Sequence, residues 1–187
     1  MFLILTFIGS ILLLDKYAFG EFGFSQPVVA CPLIGFCFGA SEIGLFLGIL
    51  LQLLFFSNLP IGRSIPPDSQ TGAILGISSF ILLRGHAPME NLLTFCFLIA
   101  ILGSMLGTYL DILARKLSNK FYQLFIKRET DYLKFHLLGL LVVFLRGFIF
   151  LLVFLLLISI FSFLPNYFKI TKNILIMISV SIGAANA

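Results

Sequence analysis

The sequence is poor in charge and has no tryptophan, and each shortage narrows what the protein can be. Charged residues make up 11% of the 187 positions, whereas about a quarter of an ordinary soluble domain is charged. Hydrophobic residues make up 60%, and the mean hydropathy is +1.13. This composition excludes a soluble enzyme or a nucleic-acid-binding domain and predicts an all-α integral membrane protein. Without tryptophan, aromatic contacts at the membrane interface must come from tyrosine and phenylalanine.

Residues that bind metals or form catalytic pairs are also scarce. The odd number of cysteines, all in apolar segments, argues against a disulfide framework or a metal site. The two histidines, His86 and His136, stand at the ends of apolar segments without a second ligand nearby. No nucleophile–base pair or phosphate-binding loop is present. We therefore expect no catalytic residue, no metal site and no cofactor.

The apolar segments of the chain are mostly too short to cross a membrane alone. A helix needs about 20 apolar residues to span the hydrocarbon core, and only two segments approach or exceed that length. Short apolar segments separated by glycine, proline or a charge are typical of half-helices and re-entrant hairpins. We predict one polytopic helical domain over residues 1–187, with apolar segments at 1–14, 28–39, 43–56, 72–83, 92–110, 137–164 and 174–185.

Two of these segments leave alternatives open. Residues 28–56 can form one long tilted helix containing Glu42, but Pro32 and the nearby glycines favour a broken or kinked pair. The glycine spacing also favours close helix packing. Residues 2–14 resemble the apolar part of a signal peptide, but no basic residue precedes them. We expect that segment to remain as a membrane helix.

A polar stretch between the two long segments sets the predicted orientation. Residues 111–136 are predicted to form a cytoplasmic loop, because basic residues near membrane helices favour the cytoplasm. Within this loop, residues 114–126 are compatible with an amphipathic helix on the inner leaflet or with a docking surface for a soluble partner. The basic residues are Arg115, Lys116, Lys120, Lys127, Arg128 and Lys134.

The break after residue 56 is the predicted substrate site. It combines proline and glycine with polar side chains between apolar helices, and lipid cannot satisfy such groups. Asp68 also suits a second role, as the N-terminal cap of the following helix. The candidate substrate-binding residues are Gln52, Asn58, Arg63 and Asp68.

Two further charges lie within apolar sequence. Arg146 is either a functional intramembrane charge or a side chain that extends to the cytoplasmic face of an overlong helix. Glu42 is better explained as a turn residue between half-helices than as a proton carrier.

Three stretches together resemble a known transporter family. They are AFGEFGFSQPVVACPLIGFCFGASEIGLFLG from residue 18, LLQLLFFSNLPIGRSIPPD from residue 50, and HLLGLLVVFLR from residue 136. They are similar to the membrane subunit IIC of the mannose/fructose/sorbose branch of the bacterial phosphoenolpyruvate-dependent sugar phosphotransferase system. The segment from Gly62 to Asp68 is its most specific part.

The resemblance implies a sugar permease of the inner membrane that moves a hexose-like sugar and is not itself an enzyme. It implies a IID membrane subunit as partner, cytoplasmic IIA and IIB subunits that carry the phosphoryl group, and an assembly that trimerises through a scaffold. Relative to the family pattern, Gln52 replaces glutamate, Arg63 replaces a small residue, and the sequence is short at its C-terminal end. An alternative implied by that shortness is a non-transporting scaffold or sensor with the same fold.

Overall fold

A computed structural model describes residues 1–16, 22–56, 66–86, 88–126 and 132–162. These residues form six α-helices and no strand, which confirms the all-helical prediction. Apart from the ends of the two long helices, the helix boundaries follow the predicted apolar segments closely. The helices are α1 (Phe2–Leu14), α2 (Pro27–Cys37), α3 (Ser41–Phe55), α4 (Ser69–Leu83), α5 (Met89–Ile126) and α6 (Tyr132–Ser162).

Helices α2 and α3 form a tight antiparallel hairpin, so the broken pair is correct and the single tilted helix is not. A Cβ atom on Gly44 would lie 2.4 Å from the carbonyl oxygen of Cys31, and one on Gly48 would lie 2.6 Å from that of Pro27. Only residues without a side chain permit this approach. The turn uses Gly39 at a φ of +66°, a conformation that glycine adopts without strain.

Helix α4 lies at the centre of the fold. Most of its residues are buried, and it contacts all five other helices. It packs most closely on α5, where a Cβ atom on Gly72 would lie 2.3 Å from the carbonyl oxygen of Ala100. Further along α4, Gly76 lies beside Cys96, so the two helices run antiparallel. Helix α4 is only about 22 Å long, so polar groups at its ends can meet groups of the surrounding helices inside the bundle.

The two longest helices pack on different neighbours. Helix α5 lies mainly against α4, whereas α6 lies mainly against α1, with Gly147 beside Leu13. The parts of these helices over Met89–Leu117 and His136–Ile160 are long and apolar enough to cross a bilayer. Helices α5 and α6 contact each other much less.

The predicted loop over residues 111–136 was wrong in its extent. Residues 111–126 continue α5, and residues 132–136 already belong to α6. Charge alone does not end a helix, since lysine, arginine and glutamate are good helix formers. No glycine or proline interrupts residues 111–126. Residues 114–126 are therefore part of a continuous helix, while the predicted apolar segment at 174–185 lies outside the described residues.

Candidate functional site

Asp68 lies at the start of α4 and is held in place from several directions. Its side chain accepts hydrogen bonds from the Thr71 backbone N–H at 3.4 Å and from the Thr71 hydroxyl at 2.6 Å. Its own N–H donates to the Ser104 carbonyl at 3.1 Å and to the Thr108 hydroxyl at 2.7 Å. The predicted capping role is thus observed, because a capping aspartate accepts from the first-turn N–H groups.

The local sequence explains why Asp68 occupies this position. Pro66 and Pro67 precede it. Proline has no backbone N–H to donate and disfavours a helical conformation in the residue before it, so a helix does not readily extend across these prolines toward the N-terminus. The carbonyl of Pro66 accepts from the Thr108 hydroxyl at 3.3 Å. The approach to α4 is therefore fixed against α5 through the side chain of Thr108.

Asp68 is also part of a buried cluster of four charges, which we call the charge cluster: Lys16, Asp68, Asp111 and Arg146. The Lys16 ammonium lies 3.0 Å from Asp68 and 3.2 Å from Asp111. Arg146 forms an ion pair with Asp111 and lies 3.8 Å from the second oxygen of Asp68. Two cations face two anions, so the formal charge of the cluster is zero.

The members of the charge cluster come from four separate places in the chain. Lys16 follows α1, Asp68 begins α4, Asp111 lies within α5, and Arg146 lies within α6. The side chain of Asp68 is 1% exposed and that of Arg146 is 11% exposed. Charges this deeply buried are costly unless paired, and here each is paired. The cluster therefore links the α1–α6 pair to the α4–α5 pair.

Asp15 organises the chain beside Lys16. Its carboxylate accepts backbone N–H groups from Phe22, Gly23 and Ser25 at 3.1, 3.0 and 3.2 Å. It also accepts from the Ser25 hydroxyl at 3.3 Å. Because Asp15 fixes the approach to α2, it positions the neighbouring Lys16 at the end of α1. Neither residue was predicted to be functional, although an Asp–Lys pair directly after an apolar run was a visible signal.

The predicted site residues have different positions in the structure. Gln52 lies in the last turns of α3, where its side-chain oxygen is buried and has no hydrogen-bond partner in the described part of the chain. Asn58 and Arg63 fall outside the described residues. Arg146 points into the charge cluster and does not extend to the surface. Whether Gln52 and Asp68 share one cavity, as predicted, stays a prediction.

Gln70 is a further polar residue near Asp68 and was not among the predicted site residues. It lies in the first turn of α4, and its side-chain oxygen is likewise buried without a hydrogen-bond partner among the described residues. Its position in the sequence could have indicated a role, because Gln70 lies two residues after a capping aspartate, in the first turn of an apolar helix. Two buried amide oxygens thus lie at the ends of the helices that border the break.

The other polar residues considered above lie at the surface. Glu42 is exposed in the first turn of α3, next to the hairpin turn, as expected for a turn residue. His86 follows the end of α4 and is exposed, and His136 is exposed near the start of α6. Among the described residues, no three metal-binding side chains come together. The arrangement is suited to binding and to holding helices together.

Comparison with known proteins identifies relatives of this chain. A family model described as "PTS system sorbose-specific iic component" matches residues 1–183. The mannose-specific EIIC component of Escherichia coli K12 is 32% identical over 66 residues, which cover 35% of this chain and 24% of that protein.

Two sorbose-specific EIIC components are also similar. That of Klebsiella pneumoniae is 28% identical over 89 residues, covering 48% of this chain and 33% of that protein. That of Lacticaseibacillus casei is 28% identical over 119 residues, covering 64% of this chain and 41% of that protein. The matched region thus spans between about a quarter and two-fifths of each of these relatives. Because the family model covers nearly the whole sequence, the chain belongs to the family of sorbose-specific IIC components of the sugar phosphotransferase system.

Proposed function

We propose that this chain is the sugar-translocating subunit of a phosphotransferase system and crosses the inner membrane several times. The observation that carries the proposal is the family match over residues 1–183. The relatives are named for mannose and for sorbose, so a hexose-like sugar is the substrate class. In this proposal a IID subunit shares the membrane assembly, which trimerises, and cytoplasmic IIA and IIB subunits carry the phosphoryl group.

The proposed sugar site lies at the break between α3 and α4. The side-chain oxygen of Gln52 supports this placement, because it is buried without a partner among the described residues, which is costly, and a sugar hydroxyl would satisfy it. The oxygen of Gln70 supports it in the same way. Asn58 and Arg63 belong to the same proposed site by their place in the sequence.

Asp68 has a more specific part in this proposal than general hydrogen bonding. Oδ1 of Asp68 accepts from Lys16 and from the Thr71 N–H, and Oδ2 accepts from the Thr71 hydroxyl, so a sugar hydroxyl must use the second acceptor position of Oδ2 or displace one of these donors. Arg146 then acts as the intramembrane charge that holds Asp68 and Asp111 and does not touch the sugar. Loss of Arg146 is expected to affect the position of Asp68 more than the chemistry of the site.

Sugar uptake tests the proposed function directly. The chain is expressed with its IID, IIA and IIB partners in cells that lack their own phosphotransferase permeases, and accumulation of phosphorylated mannose, sorbose and fructose is measured. We expect at least one of these sugars to accumulate only when the chain is present. No accumulation of any hexose, with the chain abundant in the membrane, would contradict the proposal.

A pair of substitutions separates sugar binding by Asp68 from its structural role. Asp68→Asn and Asp111→Asn each remove one anion from the charge cluster, but only Asp68 adjoins the proposed site in the sequence. We expect Asp68→Asn to weaken sugar binding roughly ten- to a hundredfold, as for a hydrogen bond to a charged group. Asp111→Asn should leave sugar affinity within a few-fold of the parent protein.

Sugar affinity of the purified variants, together with their abundance in the membrane, decides the matter. Equal losses in the two variants would mean that Asp68 acts only through the charge cluster. Gln52→Leu is the companion variant, and its effect should be smaller than that of Asp68→Asn because the lost group is neutral.

A further inference from the structure

A cavity of about 350 Å³ opens between α5 and α6, beside the charge cluster. From α5 it is lined by Ala114 and by Asp111, Arg115 and Asn119, and these last three are four residues apart and so share one helix face. From α6 it is lined by Val142, Val143 and Arg146. The lining therefore combines charged side chains from both helices with apolar side chains, among them the two valines of α6.

The cavity exists because the two long helices pack on different neighbours. Helix α5 packs along α4 and helix α6 packs along α1, which leaves a gap between α5 and α6. The gap is also open one turn before Val142 and Val143, because a Cβ atom added to Gly139 would meet no atom of the described residues within 4 Å. The proposed sugar site at the break between α3 and α4 does not account for an opening on this side.

The charge of the cavity is positive. Its lining has the guanidinium groups of Arg115 and Arg146 against the single carboxylate of Asp111. Arg146 is engaged with Asp111 and Asp68, whereas Arg115 is exposed and has no ion-pair partner in the described part of the chain. Asn119 is also exposed and adds an amide donor one turn from Arg115. The donors of Arg115 and Asn119 thus favour an anion.

The surroundings of the cavity favour a lipid over a free anion. Exposed leucines lie one turn from the lining on both helices, with Leu117 after Ala114 on α5 and with Leu138 and Leu145 on either side of Val142 on α6. In a membrane protein such side chains contact acyl chains. Arg115 lies near the end of the apolar part of α5, at Leu117, where the lipid headgroups begin. A free phosphate ion would gain nothing from contact with these apolar side chains.

We propose that this cavity binds the headgroup of an anionic phospholipid of the inner leaflet. Its phosphate lies on the Arg115 guanidinium, which can donate two parallel hydrogen bonds, and Asn119 donates a third. The acyl chains lie along the leucines of α5 and α6. Basic pockets between membrane helices on the cytoplasmic side are suited to such lipids. The proposal rests on the membrane placement, with the end of α5 toward the cytoplasm, and not on sugar transport.

The test measures lipid retained by the purified full chain. The protein is exchanged into detergent containing equal amounts of phosphatidylglycerol and phosphatidylcholine, and bound lipid is counted by native mass spectrometry. We expect phosphatidylglycerol to be retained preferentially. Arg115→Gln should lower its affinity about tenfold, the loss expected for a charge-assisted hydrogen-bonded contact.

Lys116→Gln is the matched control, because Lys116 is exposed on the same helix and carries the same charge but does not line the cavity. It should retain phosphatidylglycerol within twofold of the parent protein. Equal losses in the two variants would overturn the proposal in favour of nonspecific charge attraction. Equal retention of the two lipids by the parent protein would also overturn it.

A competition arm separates a lipid site from a site for free anions. Inorganic phosphate and a sugar phosphate are added at millimolar concentration to the loaded protein. Retained phosphatidylglycerol supports the proposal, and its displacement by either anion would overturn it. Because lipid counting needs no transport, a protein that fails the sugar-uptake test can still pass this one, and the reverse.

Discussion

The α2–α3 hairpin and the charge cluster join helices in different ways. In the hairpin, Gly44 and Gly48 let one backbone lie directly on the other, so the contact is made by main-chain atoms. In the cluster, long side chains reach across between helices, and four charges satisfy one another. The close packing of the hairpin requires that Gly44 and Gly48 have no side chain. The stability of the cluster requires that all four charged side chains are present.

This difference predicts different responses to mutation. Backbone packing through glycine is destabilised by any added side-chain atom, and the loss of stability is larger where the space at the glycine is smaller. A contact made by paired charges is damaged most by removing one partner, and removing an opposite pair can restore part of the loss. The glycine contacts of the hairpin can be predicted from neighbouring residues in the sequence, whereas the ion pairs of the charge cluster require the whole fold.

The largest effect is expected when one charge of the cluster is removed. Arg146→Met leaves Asp68 and Asp111 with Lys16 as their cation within the cluster, and breaking a buried pair costs about 3–5 kcal/mol of unfolding free energy. The double variant Arg146→Met/Asp111→Leu removes a cation and an anion together. Thermal unfolding in detergent should find it more stable than Arg146→Met alone. If the two single effects simply add, the charges do not act as one cluster.

An intermediate effect is expected when an atom is added inside the hairpin. Gly44→Ala places a methyl group 2.4 Å from the Cys31 carbonyl oxygen, so the helices must separate, at a cost of about 1–3 kcal/mol. Gly139→Ala on α6 is the control, because its added Cβ meets no described atom within 4 Å. It should be neutral or slightly stabilising, since alanine favours a helix. Similar unfolding temperatures for the two variants would mean that the hairpin is not closely packed.

The smallest effect on stability, but the sharpest on orientation, comes from a single cysteine at position 119. Asn119 is exposed near the charge-cluster end of α5, and the predicted orientation places it in the cytoplasm. In a Cys37→Ser background, which removes the exposed native thiol, Asn119→Cys should react with a membrane-impermeant reagent only after permeabilisation. Ready labelling in intact cells would reverse the orientation and remove the inner-leaflet placement of the proposed lipid site.

Several features of this protein followed from neighbouring residues alone. Low charge and long apolar stretches determine that it is a helical membrane protein, because helices satisfy their own backbone groups in lipid. The Pro-Pro-Asp sequence determines where α4 begins, since proline restricts the preceding chain and aspartate caps the helix. The spacing of Gly44 and Gly48 indicates close packing, and the motif from Gly62 to Asp68 indicates the family. The helical alternative for residues 114–126 agrees with the structure, but the predicted loop around it does not, because α5 continues without a break to Ile126 and every residue of 111–126 tolerates a helix.

The charge cluster is decided only by the tertiary structure. Lys16 is 52 residues from Asp68 and 95 residues from Asp111, and no local pattern links positions so far apart. The sequence left Arg146 with two interpretations, because burial or exposure at that depth depends on which helix covers it. Packing of α6 on α1 and of α4 on α5 brings two cations to two anions and so fixes the position of Arg146. The physical reason is that helix caps and breaks depend on groups a few residues apart, whereas a buried charge is stable only where the folded chain supplies its partner.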